Sequence, residues 1–233
     1  LLERIRGAGI RNIVALRGDP PQGETRFVPP ADGLAHANEL VEFIHRTADS
    51  AGWERFGLAV AGYPEKHIEA SDAAADLRNL KRKTEAGADA VITQLFYDNA
   101  AFFSFVERAR GLGLTHPIVP GLLPIVSVNQ IKKITALCGA SIPPRLLARL
   151  EAAGEDHDAA IQIGVEQCIE QARGLLAAGV PGITSSPTTP SSALIESCVR
   201  RTSGTSEIVT PRAGFAIAGA AGTRSMKKPS SSL

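Results

Sequence analysis

Arg17, Gly18 and Asp19 place a cation, a flexible glycine and a carboxylate directly behind the apolar run Ile13–Leu16. Tyr63, Pro64, Glu65, Lys66 and His67 follow a second apolar run, FGLAVAG, in the same way. In parallel α/β proteins ligands gather outside the carboxyl ends of the strands, so both stretches read as site rims. A surface turn with an internal Arg–Asp pair is the alternative for the first. Asp76, Asn79 and Lys83 fall at i, i+3 and i+7 of a helix expected from Ser71 or Asp72 to Glu85 and share a face, with Arg82 beside them. Two cations, an amide and a carboxylate suit a nucleotide, the cations on its phosphates. The same spacing also describes an ordinary solvated face. Gln94, near the end of an apolar strand, needs hydrogen-bond partners if buried, which a ligand or the backbone could supply. Gln130 reads as an exposed residue at a helix start.

His67 has no second His or Cys at ligand spacing, so nothing supports a metal site. There is no G-x-S-x-G elbow, no Walker loop and no His–Cys pair in register, which leaves nucleophilic and P-loop chemistry without support. The groups on offer suit a protein that holds a cofactor and lets it carry the redox step.

These residues have to be positioned by a regular scaffold, and the sequence supplies one. Four buried runs, at Ile13–Leu16, Phe56–Gly62, Ala90–Leu95 and Pro117–Leu123, are each followed by a helical pattern. The first is expected to be a strand buried on both faces. The helices are expected at Ala35–Ala51, up to Glu85, at Phe102–Leu112 and at Val128–Leu137, with two more at Pro143–Leu150 and Ala159–Ala178. Repeated βα units make an α/β fold with a parallel sheet. The lack of a Gly-x-Gly-x-x-Gly turn, and polar groups behind the strands, favour a (β/α)₈ TIM barrel over a Rossmann domain. Four strands cannot close an eight-stranded barrel, so an incomplete barrel of about four βα units is expected. Leu1, Leu2, Ile5 and Ala8 open in mid-pattern, as the end of a helix truncated at its start.

From Thr184 onward serine, threonine and proline dominate without periodicity, and residues 184–233 are expected to be a disordered tail, GFAIAGAAG included. The net charge of +1 is spread along the chain and argues against nucleic acid or an anionic membrane as partner. No stretch approaches the roughly 20 apolar residues that span a bilayer. Nor does the amino terminus have the order of a signal peptide, so a cytoplasmic location is expected. Cys138, Cys168 and Cys198 are far apart and suit reduced thiols. Association into a homo-oligomer is left open.

The blocks NIVALRGDPP, AGYPEKHIEA, DLRNLKRKTEAGADAVITQLFYD and PIVPGLLPI occur in an order and at separations that closely resemble the methylenetetrahydrofolate reductase family, over residues 1 to about 182. The resemblance implies a flavin-containing (β/α)₈ barrel of one-carbon and methionine metabolism. NADH or NADPH reduces its FAD, which passes the hydride to 5,10-methylenetetrahydrofolate to give 5-methyltetrahydrofolate. It further implies that Arg17, Gly18 and Asp19 border the FAD, with Asp19 the catalytic carboxylate near the isoalloxazine and the folate. Ala61, Tyr63 and His67 would line the cofactor's path, and Asp76, Asn79, Arg82 and Lys83 would hold its ribose and pyrophosphate end. Gln94 and Gln130 would contact the folate. Ile134 stands where the family has a stacking phenylalanine.

Two departures accompany the likeness. The family has three further βα units before these, including a first-strand glutamate that donates the proton, and this chain does not carry them. After GVPGI the family continues close to His-Phe-Tyr-Thr-Leu-Asn, where this chain reads TSSPTTP. A chosen back-translation of Thr184–Pro190, with one base added in front, reads His-Phe-Phe-Thr-Tyr-Asn-Ala. A tail translated out of frame is therefore the expectation, and an in-frame gene sequence through Gly182 with no lost base would overturn it. Beside the reductase reading stand a non-catalytic fragment or half-barrel, and another flavin barrel acting on an amine or imino acid.

Overall fold

The computed structural model describes residues 1–18, 20, 27–185 and 215–219. The chain divides into two compact units. The first takes residues 1–61, 80–90 and, of the described C-terminal residues, 215–219; the second takes 62–79 and 91–185. All the strand pairings described below are parallel, as the alternation of strands and helices requires.

In the first unit α1 (Leu2–Gly7) leads into β1 (Asn12–Leu16). Ile13 and Ala15 are fully buried while Asn12, Val14 and Leu16 are half-buried, so one face of β1 is closed and the other is partly open. That corrects the expectation of burial on both faces: alternation, not a uniformly covered run, is what β1 has. β2 (Gly57–Gly62) pairs with β1 from Asn12↔Gly57 to Ala15↔Val60 and comes closer to a continuous buried run. α2 (Ala37–Ser50) buries Leu40, Val41, Ile44 and Ala48 at helical spacing. Its start is fixed by Glu39, whose carboxylate accepts the N–H groups of Ala35 and His36, so that the helix begins two residues later than expected. Asp89 ties the far end of the unit to β2, donating its N–H to the Leu58 carbonyl and accepting the Leu58 N–H on its side chain, both at 2.7 Å.

α3 (Ala73–Glu85) has its first half in the second unit and its second half in the first. The remaining elements belong to the second unit apart from Ala90, the first residue of β3 (Ala90–Thr93). They are α4 (Asn99–Gly111), β4 (Ile118–Val119), β5 (Gly121–Leu122), α5 (Val128–Cys138), α6 (Pro144–Ala152), α7 (His157–Ala177) and β6 (Thr184–Ser185). α4 and α7 begin earlier than their apolar periodicity predicts, because Asp98 and Asp156 cap them by accepting the N–H groups of Ala100 and Ala159. The single strand expected at Pro117–Leu123 is two. Pro120 has no N–H to give a ladder, and the chain changes partner across it, β4 pairing with β3 and β5 with β6.

β7 (Phe215–Gly219) pairs with β1 along its whole length, from Asn12↔Phe215 to Leu16↔Gly219. Two strands, β6 and β7, therefore lie in the segment expected to be disordered. The edge of β1 offers backbone amides and carbonyls, a template that the short run Phe215–Gly219 pairs with. The rest of that expected tail, Cys198 included, lies outside the described residues.

The second unit is built on Leu95, Tyr97, Ile125, Ile131, Leu146 and Leu150, with Ile134, Cys138 and Ile163 against them. Gln171 is buried on α7 and donates to the Phe96 carbonyl at 2.7 Å, while the Tyr97 hydroxyl donates to the Leu123 carbonyl. Burial pushes the Cys168 thiol on α7 up to about 12, and raises the Tyr97 hydroxyl as well. The consequence has a definite sign. The neutral thiol is favoured in the fold, so its contribution is complete below the ordinary value of 9.0 and is lost as pH rises toward 12. Urea unfolding between pH 8 and 11 is expected to show stability falling by up to about 1.4 kcal/mol per pH unit from this group. Cys168→Ala should flatten that limb, leaving the slope due to Tyr97, and an unchanged slope would rule the thiol out as its source.

Candidate functional site

The first unit carries the cations. Lys83, in the last turn of α3, is half-buried, and its Nζ donates to the Ala61 carbonyl at 2.5 Å. Helix register alone does this: Leu80 and Thr84 are buried, which turns Lys83 toward the carboxyl end of β2. Arg82, one position back, is exposed. At the end of β1 the Arg17 guanidinium lies 4.9 Å from the centre of the Phe27 ring and its Nε donates to the Gly18 carbonyl at 3.4 Å. Gly18 has φ +89°, a conformation that favours glycine and lets the chain turn immediately beyond the strand. Asp19 lies outside the described residues.

The second unit carries the ring pair. Tyr63 and His67 meet edge to face with centroids 4.6 Å apart. The His67 N–H donates to Asp76 Oδ2 at 3.1 Å, and His67 Nδ1 accepts the Glu69 N–H at 3.1 Å. With Nδ1 used as an acceptor, a neutral His67 carries its proton on Nε2. Asp76 is only 7% exposed, so the face expected to be either a grip or solvated is neither throughout: Asp76 is inside and holds the loop, whereas Asn79 is exposed. Asp72 starts the helix by accepting the Ala75 N–H, a bond that lowers its carboxyl below the ordinary range.

Gln94 is half-buried just beyond β3, with its N–H on the Gly62 carbonyl and its side-chain oxygen accepting the Leu95 N–H. The backbone thus takes one side of the amide. Gln94 and Tyr63 line the same shallow depression, whose other lining residues are Pro64–Lys66, Leu95 and Cys138–Ala140. Gln130 lies elsewhere, exposed in the first turn of α5, and Ile134 on the same helix packs against the core. Burial raises the Cys138 thiol, which disfavours a reactive thiolate there. Among the described residues no group of three or more His, Cys, Asp or Glu is placed to hold a metal ion. No helix among them is long and apolar enough to cross a membrane.

Glu65 was visible in the sequence only as one of the polar residues behind β2. Its partner, Ser141, is 76 positions away, and no local pattern reports such a pairing. Gly139 and Ala140 likewise had no signal beyond a helix stop.

The family model for methylenetetrahydrofolate reductase matches residues 1–186. The chain belongs to the methylenetetrahydrofolate reductase family. Similar relatives include methylenetetrahydrofolate reductase (NADH) 1 of Zea mays, 39% identical over 188 residues, which cover 77% of this chain and 31% of the relative. The protein of the same name from Arabidopsis thaliana is 40% identical over 191 residues, covering 78% of this chain and 32% of its own. A probable methylenetetrahydrofolate reductase (NADPH) of Caenorhabditis elegans is 39% identical over 181 residues, covering 75% and 25%. The chain thus spans about a third of the length of the curated plant relatives it matches. Among solved structures, an uncharacterized protein from Clostridium thermocellum, described as binding two copies of 5-methyl-5,6,7,8-tetrahydrofolic acid, aligns with TM-score 0.50 and 18% identity. The alignment covers 87% of this chain and 69% of that one and supports the fold alone.

Proposed function

We propose that this chain is the flavin-holding part of a methylenetetrahydrofolate reductase, acting in the reduction of 5,10-methylenetetrahydrofolate to 5-methyltetrahydrofolate with NADH or NADPH. The observation that carries the reading is Lys83. A half-buried ammonium at the carboxyl end of β2, one residue from a second cation, is the donor set that a dinucleotide's phosphates require. Bound FAD would supply the hydride carrier between nicotinamide and folate.

In this reading Lys83 and Arg82 hold phosphate, and Asn79, exposed on the same helix, hydrogen-bonds ribose. Asp76 fixes the His67 amide, which sets the Tyr63–His67 ring pair, and Ala61 and Tyr63 offer surface to the cofactor. Arg17 and Gly18 form the rim behind β1. Asp19, by the family likeness, is assigned the carboxylate that tunes flavin and folate charge, and Gln94 and Gln130 the folate amides. A cytoplasmic location belongs to the same reading.

The test is to express residues 1–233, purify, and record the visible absorbance. A yellow protein that oxidises NAD(P)H with an added electron acceptor is expected. A folded protein that stays colourless after incubation with FAD would overturn the proposal, and flavin uptake without NAD(P)H oxidation would restrict it to cofactor holding.

A further inference from the structure

The segment from Tyr63 to Ala70, between β2 and α3, is pinned at several points within the second unit. Arg108 Nη2 donates to the Pro64 carbonyl at 3.2 Å, Lys66 Nζ to the Ala70 carbonyl at 2.6 Å, and the His67 N–H to Asp76. The remaining pin is of another kind. The Glu65 carboxylate takes the Ser141 N–H on both oxygens, at 3.1 and 2.9 Å, and also accepts the Ser141 hydroxyl. Just before it Gly139, at φ +75°, closes α5 beside the segment, where a Cβ would be in ordinary van der Waals contact with the Lys66 carbonyl oxygen at 3.4 Å. Glu65 and the Cys138–Ala140 turn both line the depression that Tyr63 and Gln94 also line.

We infer that Glu65 is a positioning residue, whose clasp on Ser141 sets the width of this depression and holds the Tyr63–His67 segment in the form that binds ligand. A carboxylate has acceptor sites enough for both donors of Ser141 at once, whereas an amide offers one oxygen and turns two donors toward them. Bonds to a charged group are the stronger kind, and this one joins parts of the chain that no local turn constrains. The ligand named for the test rests on the flavin reading above; the clasp itself does not.

Two measurements on the full chain decide it. In the flavin-free protein, amide hydrogen exchange at His67 is expected to accelerate at least tenfold in Glu65→Ala, with Glu65→Gln intermediate and Ser141→Ala, which keeps the N–H bond, closer to wild type. FAD affinity, read by flavin fluorescence, should weaken about tenfold in Glu65→Ala while the thermal midpoint moves little. Unchanged exchange at His67 would overturn the inference, as would acceleration spread evenly over the chain with a lowered midpoint, the mark of a merely structural bond. If the wild type takes up no FAD, the flavin reading fails while the exchange result still judges the clasp.

Discussion

Changing Arg82 and Lys83 together to alanine is expected to abolish retention of FAD through purification. Lys83 should account for most of the loss. Its ammonium is half-buried at the end of β2, where a charge-assisted bond to phosphate contributes about 1.5–3 kcal/mol, or roughly 10- to 150-fold in affinity. Arg82 is exposed and screened, so Arg82→Ala alone should cost less than about fivefold and fade further at high salt. Lys83→Ala also strips the Ala61 carbonyl of a donor, so Lys83→Gln is the informative partner: it can still hydrogen-bond the carbonyl but brings no charge. If phosphate is what Lys83 holds, both variants should lose FAD affinity and leave that of riboflavin nearly unchanged. Equal losses for both ligands would assign Lys83 to the architecture of β2, and full retention in the double variant would make this helix face an ordinary solvated one.

Gly164→Ala is expected to destabilise the second unit by about 2–3 kcal/mol, a fall of roughly 5–10 °C in thermal midpoint. A Cβ at this position of α7 would lie 2.0 Å from the Ile125 carbonyl oxygen and 2.8 Å from its carbon, and backbone cannot swing aside as a side-chain end can. Ile125 is itself fully buried in the core of the unit. Gly111→Ala, at the end of α4 where a Cβ would meet nothing within 4 Å, is the control and should be neutral or slightly stabilising. A midpoint for Gly164→Ala within 1–2 °C of wild type would mean that α7 can withdraw from Ile125 at little cost.

What could be read before the structure was whatever is local. β2, α2 and α5 followed from apolar runs, period and stop signals, because a buried face leaves a mark at every turn. Lys83 and Arg82 were placed on one end of a helix for the same reason. Boundaries shifted where a side chain reached across a few residues, as Glu39, Asp98 and Asp156 do, and where Pro120 split a run that hydropathy alone presents as continuous. Burial of Asp76 was not legible, since its partner is a backbone N–H and a backbone amide has no residue signature. Nor was the Glu65–Ser141 clasp, or the pairing of Phe215–Gly219 with β1, because each depends on segments that meet only in the fold.

The β1–β7 pairing imposes an order of events on synthesis. Phe215, the partner of Asn12, is added about two hundred residues after it. Until then the edge of β1 that Phe215–Gly219 covers lacks that strand, and closing so long a loop is slow compared with forming any neighbouring βα unit. Crowded nascent chains would therefore meet each other at this edge of β1 before Phe215–Gly219 arrives, so yield should rise when translation is slowed or expression is cooled.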